Sequence, residues 1–193
     1  SVVAIDTRIT AKHEAPAGRL VQLVGDITDL AALARAMLEH RPDVVFHAAA
    51  IVGVLNSLGS PANIVRVNVE GSLNVFEAMR LAGVKRCVHI SSEEAYGEFH
   101  ADPISETHAL DPVLPYGICK ATVEQLGRTY RGLHGLEVIN LRTSWVYGPG
   151  LPRERAPKNL LEAALAGHAL HLPSGGDAGI DHTYVDDFVS GSL

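Results

Sequence analysis

Short, nearly unbroken apolar runs alternate along this chain with stretches whose apolar residues recur every three or four positions. Val2-Val3-Ala4-Ile5, Leu20 to Val24, Asp43 to Phe46, Arg86 to Ile90 and Glu137 to Leu141 read as buried strands. Between them, Asp29 to Glu39 places Leu30, Leu33, Ala34, Met37 and Leu38 on one helical stripe, with Thr28 positioned to cap it. A long helix is predicted from Asn63 to Leu81 on Val67, Leu73, Val75, Phe76 and Met79. A loop with Pro103, Pro112 and Pro115 then precedes a helix from Tyr116 to about Leu133. Continuous strands alternating with amphipathic helices predict βαβ units. The expected fold is α/β, a doubly wound parallel sheet with helices on both faces. From Pro149 onward the pattern loosens, with Pro152, Pro157, Pro173 and a Gly175-Gly176 turn. The expected division is therefore a core over residues 1–148 and a smaller, substrate-facing part over residues 149–193.

Composition narrows the function classes. At 193 residues the chain is long enough to bury a large core, and 47% apolar content with only 5% aromatics suits an α/β protein. A net charge of −6 argues against nucleic acid as the main partner, since phosphate binding needs clustered Lys and Arg. Two cysteines, Cys87 and Cys119, are too few for a disulfide framework and suggest a reduced, cytoplasmic protein. The longest apolar run, Val44 to Leu55, is broken by His47 and too short to span a bilayer, so no membrane partner is expected. The chain opens directly on a strand, with no signal peptide in view. Ten histidines include no His-x-x-x-His pair and the cysteines no Cys-x-x-Cys pair, so no metal site is expected.

The chemistry centres on Tyr116-Gly117-Ile118-Cys119-Lys120. Residues four apart on a helix lie on one face, so a Lys120 ammonium can favour the Tyr116 phenolate. That turns a phenol titrating near roughly pH 10 into a usable proton carrier. Polar residues also follow the strands: Asp6, Asp26, His47, Ser91 and Ser92. In a doubly wound sheet, ligands bind at the carboxyl ends of the strands. Asp6 is placed to accept hydrogen bonds from an adenosine ribose, favouring NAD over NADP, or is an ordinary loop acid. Asp26 contacts adenine or helps to cap the following helix.

Taken together, the motifs resemble the extended short-chain dehydrogenase/reductase superfamily, in its nucleotide-sugar epimerase and dehydratase branch. The resemblance rests on seven segments in order. They are the strand ending at Asp6, Gly25-Asp26-Ile27-Thr28-Asp29, His47-Ala48-Ala49, Ser91-Ser92 through Tyr96-Gly97, Pro115-Tyr116 through Lys120, Leu141-Arg142 through Tyr147-Gly148-Pro149, and Tyr184-Val185-Asp186-Asp187. It implies a Rossmann-type dinucleotide-binding core, NAD as cofactor, a nucleotide-sugar substrate and a homodimer paired through two long helices. It implies that Tyr116 is the acid/base, that Lys120 also holds the nicotinamide ribose, and that Ser92 hydrogen-bonds the reacting oxygen. Asp6, Asp26, Ile27, Ala48, Ala49 and Ala50 would line the cofactor, the alanines allowing close approach. His47 stands beside it or is a satisfied core histidine. Ser92-Glu93-Glu94-Ala95-Tyr96-Gly97 is similar to the dehydratase pattern, in which Glu94 would abstract a proton next to a ketosugar carbonyl. The same motifs would also serve a net NAD-dependent dehydrogenase of a small alcohol, or a non-catalytic dinucleotide-binding protein.

Three departures qualify the resemblance. The family's glycine-rich turn, with its strand and helix, would precede the strand ending at Asp6, and the chain starts on that strand. Relatives continue past Tyr184-Val185-Asp186-Asp187 into a substrate domain. The expectation is an internal piece, missing its first βα unit and most of the substrate domain, that binds NAD weakly alone. Trp145 stands where many relatives carry an asparagine that contacts substrate. Arg142 reads as structural, and Arg153, Arg155 and Lys158 as a solvated loop or a diphosphate contact.

Overall fold

A computed structural model of the chain describes residues 1–9, 19–151, 156–169 and 179–193. These form two compact units, Ser1–Arg142 and Thr143–Leu193.

In the first unit, β1 (Val2–Asp6) pairs in parallel with β2 (Leu20–Val24), Val2 opposite Leu20. Helix α1 (Leu30–His40) follows, and Asp29, not Thr28, caps it by accepting from the Ala32 amide at 2.9 Å. Thr28 instead gives both its amide and its hydroxyl to Asp26, each at 2.8 Å. Strand β3 (Val44–His47) pairs in parallel with β4 (Arg86–Ser92), and β5 (Glu137–Thr143) lies on the other side of β4.

Between β3 and β4, the expected long helix runs without interruption from Pro61 to Ala82, its hydrogen-bond register changing at a π-type turn, after a separate short helix. The elements are α2 (Val54–Gly59), α3 (Pro61–Val65), the π-type turn at Arg66–Glu70 and α4 (Gly71–Ala82). The bulge coincides with Asn68, whose side-chain amide pairs with both backbone groups of Ile51, at 2.8 and 2.9 Å. The last helix of the unit, α5 (Pro115–His134), opens on Pro115 in its first turn and ends at Gly135 in the left-handed conformation.

Period-two alternation lets Ile5 of the two-stranded β1–β2 sheet and Val45, Cys87 and Val138 of the three-stranded β3–β4–β5 sheet pack into one core with Leu33, Met37, Val75, Phe76, Met79, Val123 and Leu136 from the helices and their ends. Each fully buried side chain of this kind contributes about 1.5–3 kcal/mol. Helices α1, α4 and α5 thus share one core. Parallel strands alternating with helices are the α/β architecture expected from the sequence. Val2, Val24, Phe46 and Ile139 point away from this core and are 61%, 71%, 49% and 58% exposed.

The second unit holds a parallel pair, β6 (Trp145–Tyr147) and β7 (His182–Tyr184), with α6 (Ala156–Ala166) and α7 (Val185–Ser192). Three-residue strands are too short to show a period, which is why the sequence pattern missed them. Pro152, Arg153, Arg155, Pro173 and Gly175-Gly176 lie outside the described residues. Among the described residues no helix is long and apolar enough to cross a membrane.

Candidate active site

Because α5 starts at Pro115, Tyr116 and Lys120 fall in its first two turns, on the side facing β4. Both are buried. The Lys120 Nζ donates to the Ile90 carbonyl at 2.6 Å and stands 5.8 Å from the centroid of the Tyr116 ring. Burial pushes the Lys120 ammonium down to about 8, with Cys119 and Glu124 opposing. It therefore keeps its proton at neutral pH, beside the phenol.

Ser92 ends β4, buried, and its hydroxyl accepts from the Glu94 amide at 3.2 Å, capping the one-turn 3-10 helix Glu93–Ala95. The first turn of α5 lies directly on that turn. A side chain at Gly117 would run into the Glu94 carbonyl and Pro112. Tyr116, Lys120, Ser92 and the Glu94 main chain thus meet along one seam between β4 and α5. Among the described residues no group of three or more His, Cys, Asp or Glu could hold a metal ion.

His47 is a core histidine. It is buried, its Nε2 lies 2.8 Å from the Ser72 hydroxyl, and its ring centroid is 5.5 Å from that of His89. His89 Nδ1 lies 3.0 Å from Asn140 Oδ1. Burial pushes His47 to about 3 and His89 to about 4, and the Lys120 cation adds to both. Both imidazoles are neutral at physiological pH.

The remaining predicted residues sit at other strand ends. Asp6 is exposed at the end of β1, its Oδ1 accepting from the Thr7 hydroxyl and the Arg8 amide at 3.3 and 3.1 Å. Asp26 follows β2, and the backbone and hydroxyl bonds from Thr28 hold its carboxyl below the usual range. Its side chain bonds within the turn before α1; the cap itself is Asp29. Ile27 packs against Gly71, and its carbonyl accepts from the Asn74 side chain at 3.1 Å. Ala48 and Ala49 are exposed and Ala50 half-buried, just past β3. An open ledge of small side chains after β3, an exposed acid at the end of β1 and a cation beside the tyrosine are groups that a dinucleotide's nicotinamide and ribose portions can use. The residues present fit NAD.

Two residues of this region escaped the sequence reading. Asn68 carries no spacing signal, since its partner Ile51 is 17 positions away. Glu124 could have been found: it is four residues past Lys120, on the same helical face. Arg142, read as structural, is its partner, with Nη2 2.7 Å from Glu124 Oε2. Trp145 starts β6, its ring edge-on to His182. Lys158 donates to the Leu151 carbonyl at 3.2 Å.

Parallel strands whose carboxyl ends meet a buried Tyr-x-x-x-Lys pair define a short-chain dehydrogenase/reductase enzyme fold. The model for the NAD-dependent epimerase/dehydratase family matches residues 1–193, and the chain belongs to that family. It is 37% identical over 168 residues to UDP-glucose 4-epimerase of Mycolicibacterium smegmatis, covering 85% of this chain and 53% of that protein. It is 35% identical over 182 residues to dTDP-glucose 4,6-dehydratase 1 of Escherichia coli, covering 84% and 50%. Among solved structures, UDP-glucose 4-epimerase of Thermotoga maritima with UDP-glucose superposes with a TM-score of 0.88 at 30% identity, over 98% of this chain and 63% of that one. The dTDP-glucose 4,6-dehydratase DesIV of Streptomyces venezuelae, bound to NAD, gives a TM-score of 0.85 at 28% identity, over 98% and 60%. The chain spans about half the length of the curated relatives it matches.

Proposed function

We propose that this chain carries the acid/base centre of an NAD-dependent epimerase or dehydratase acting on a nucleotide sugar. The observation that supports it most is the buried Lys120 ammonium 5.8 Å from the Tyr116 ring, at the end of the strand that holds Ser92. The cation lowers the cost of the phenolate, so Tyr116 takes the proton of a sugar hydroxyl near neutral pH. Ser92 hydrogen-bonds that oxygen. NAD, when held here, would supply reversible hydride acceptance. Asp6, Asp26, Ile27, Ala48, Ala49, Ala50, Tyr116 and Lys120 would hold the cofactor, the Asp6 carboxylate disfavouring a ribose phosphate.

After the first half-reaction the keto sugar is either re-reduced on its other face or loses water. Glu94 is the base for the second course, taking the proton next to the carbonyl while its neighbour Glu93 gives one to the departing hydroxyl. The hydride would return to the carbon that lost that hydroxyl. The Glu94 main chain is bonded to the Ser92 hydroxyl and packed on the helix that carries Tyr116. Neither course leaves net oxidation.

The test is Tyr116→Phe in the intact protein, assayed with NAD and a panel of UDP- and dTDP-sugars. Turnover is expected to fall by about 10²–10⁴ while circular dichroism is unchanged. Near-normal turnover would sink the assignment. Stoichiometric NADH on addition of a small alcohol would favour a net dehydrogenase instead, and NAD binding without turnover a non-catalytic protein. We further infer a cytoplasmic homodimer. Two free, buried cysteines suit a reducing compartment, and the helix pair α4 and α5 presents the subunit contact.

A further inference from the structure

We infer that Glu124 and Arg142 are a positioning pair that fixes where Ser92 and the turn after it stand relative to Tyr116 and Lys120. What is positioned rests on the acid/base reading above; the pair itself rests on geometry.

Glu124 lies one helical turn past Lys120 and two past Tyr116, on the same face of α5. It is 1% exposed. Its Oε1 accepts from the Ser91 hydroxyl at 2.6 Å. The Arg142 guanidinium meets both of its oxygens, with Nε at 3.0 and 3.3 Å and Nη2 at 2.7 Å. From the end of β5, Nη1 of Arg142 reaches on to the Tyr96 hydroxyl at 3.0 Å and the Glu106 carbonyl at 2.9 Å. The guanidinium also lies 4.7 Å from the centroid of the Tyr96 ring. One carboxylate therefore ties the catalytic helix to the residue before Ser92. One guanidinium ties that carboxylate to Tyr96, two residues after Glu94. The stretch carrying Ser92 and Glu94 is held from both ends.

Both groups are ionised. Burial pushes the Glu124 carboxyl up, but the Arg142 and Ser91 hydrogen bonds more than reverse it and hold it below the usual range. Glu124 in turn raises Arg142. Arg128, the other guanidinium paired with Glu124, is 4.0 Å away and 57% exposed, so it is no substitute.

Stability does not account for such a pair. Desolvating two ions offsets most of their attraction, and neutral replacements of matching shape are often as stable. A neutral pair cannot reproduce the fork, which fixes bond directions to three segments at once.

The experiment uses the intact protein and two variants, the double substitution Glu124→Gln with Arg142→Met, and the single Arg142→Lys. Hydrogen exchange of the 91–97 amides is measured without substrate, beside melting temperature, kcat and KM. The double variant is expected to melt close to the wild type and to keep protection in α4. It should lose protection across 91–97, with kcat down about a hundredfold and KM within about threefold. Arg142→Lys, which keeps the charge but not the fork, should fall between the two. Wild-type protection at 91–97 together with wild-type kcat in the double variant would overturn the inference. If the double variant does not fold, Arg142→Lys decides in the same way. If the intact wild type turns over no sugar nucleotide, the acid/base reading fails and exchange alone decides: local loss of protection supports the pair, and unchanged protection overturns it.

Discussion

His47 and His89 are two imidazoles that the fold holds neutral, at about 3 and about 4, because burial penalises the charged form, the Lys120 cation adds to it, and for His89 the Asn140 bond returns less than burial costs. In the unfolded chain both titrate near 6.5. Above that value neither state binds the extra protons, and the stability is intact. As pH falls below it, the unfolded chain gains two protons that the native state refuses. Stability should then drop by about 1.4 kcal/mol per pH unit for each imidazole, about 2.7 for the pair. Glu124, Glu77 and Asp26 are held below the usual carboxylate range, so their contribution is lost at lower pH. Urea unfolding between about pH 7 and 5 should show this slope, and His47→Gln should roughly halve it. A flat profile across that window would contradict neutral burial. Residues of this kind are only half legible in a sequence. His47 stood out at a strand end, but its standing as a core group depended on Ser72, 25 positions away. Asn140, the partner of His89, is 51 positions away. Tyr116, Lys120 and Ser92 were readable because spacing on one helix and the end of one strand placed them.

At the scale of elements, the seam between α5 and the Glu93–Ala95 turn depends on Gly117. A side chain there meets the Glu94 carbonyl and Pro112, and backbone cannot swing aside as a flexible side chain can. Gly132, near the other end of α5, has nothing within 4 Å. The two glycines should therefore respond with opposite signs. Gly117→Ala is expected to cost about 1–3 kcal/mol and to displace the turn that carries Glu94. Turnover should fall by about tenfold or more, since small displacements of reacting groups are expensive. Gly132→Ala should stabilise by about 0.5–1 kcal/mol with turnover unchanged. Chemical unfolding and a turnover assay on both variants check this; equal effects would remove Gly117 from the argument. Strands β1 to β5 were legible to within a residue or two because they are continuous and apolar; β6 and β7, three residues each, were not. The long helix between β3 and β4 was legible too; its π-type turn at Arg66–Glu70, where Asn68 meets Ile51, was not, because that contact spans 17 positions.

At the scale of the whole molecule, two of the apolar surfaces among the described residues bear on assembly, both in the first unit. One is the outward side of the strands, with Val2, Val24, Phe46 and Ile139; the other is the helix pair, where Leu81 and Leu133 are 51% and 72% exposed. These leucines flank the place where the Tyr130 hydroxyl donates to Glu77, which joins α5 to α4. Parallel sheets in this fold class are covered on both faces within one chain. The curated relatives are about twice as long as the segment they share with this chain, so they have the length to supply such cover. A sheet face that intrachain packing can close is a poor candidate for a subunit contact, which leaves the helix pair. The intact protein should scatter light as a dimer. Glu introduced at both Leu81 and Leu133 should give a monomer with the circular dichroism of the wild type, because two charges in an apolar contact leave the fold of each subunit untouched. A wild-type monomer would reject the dimer. A double variant that still pairs would reject this interface and send the search to the sheet face.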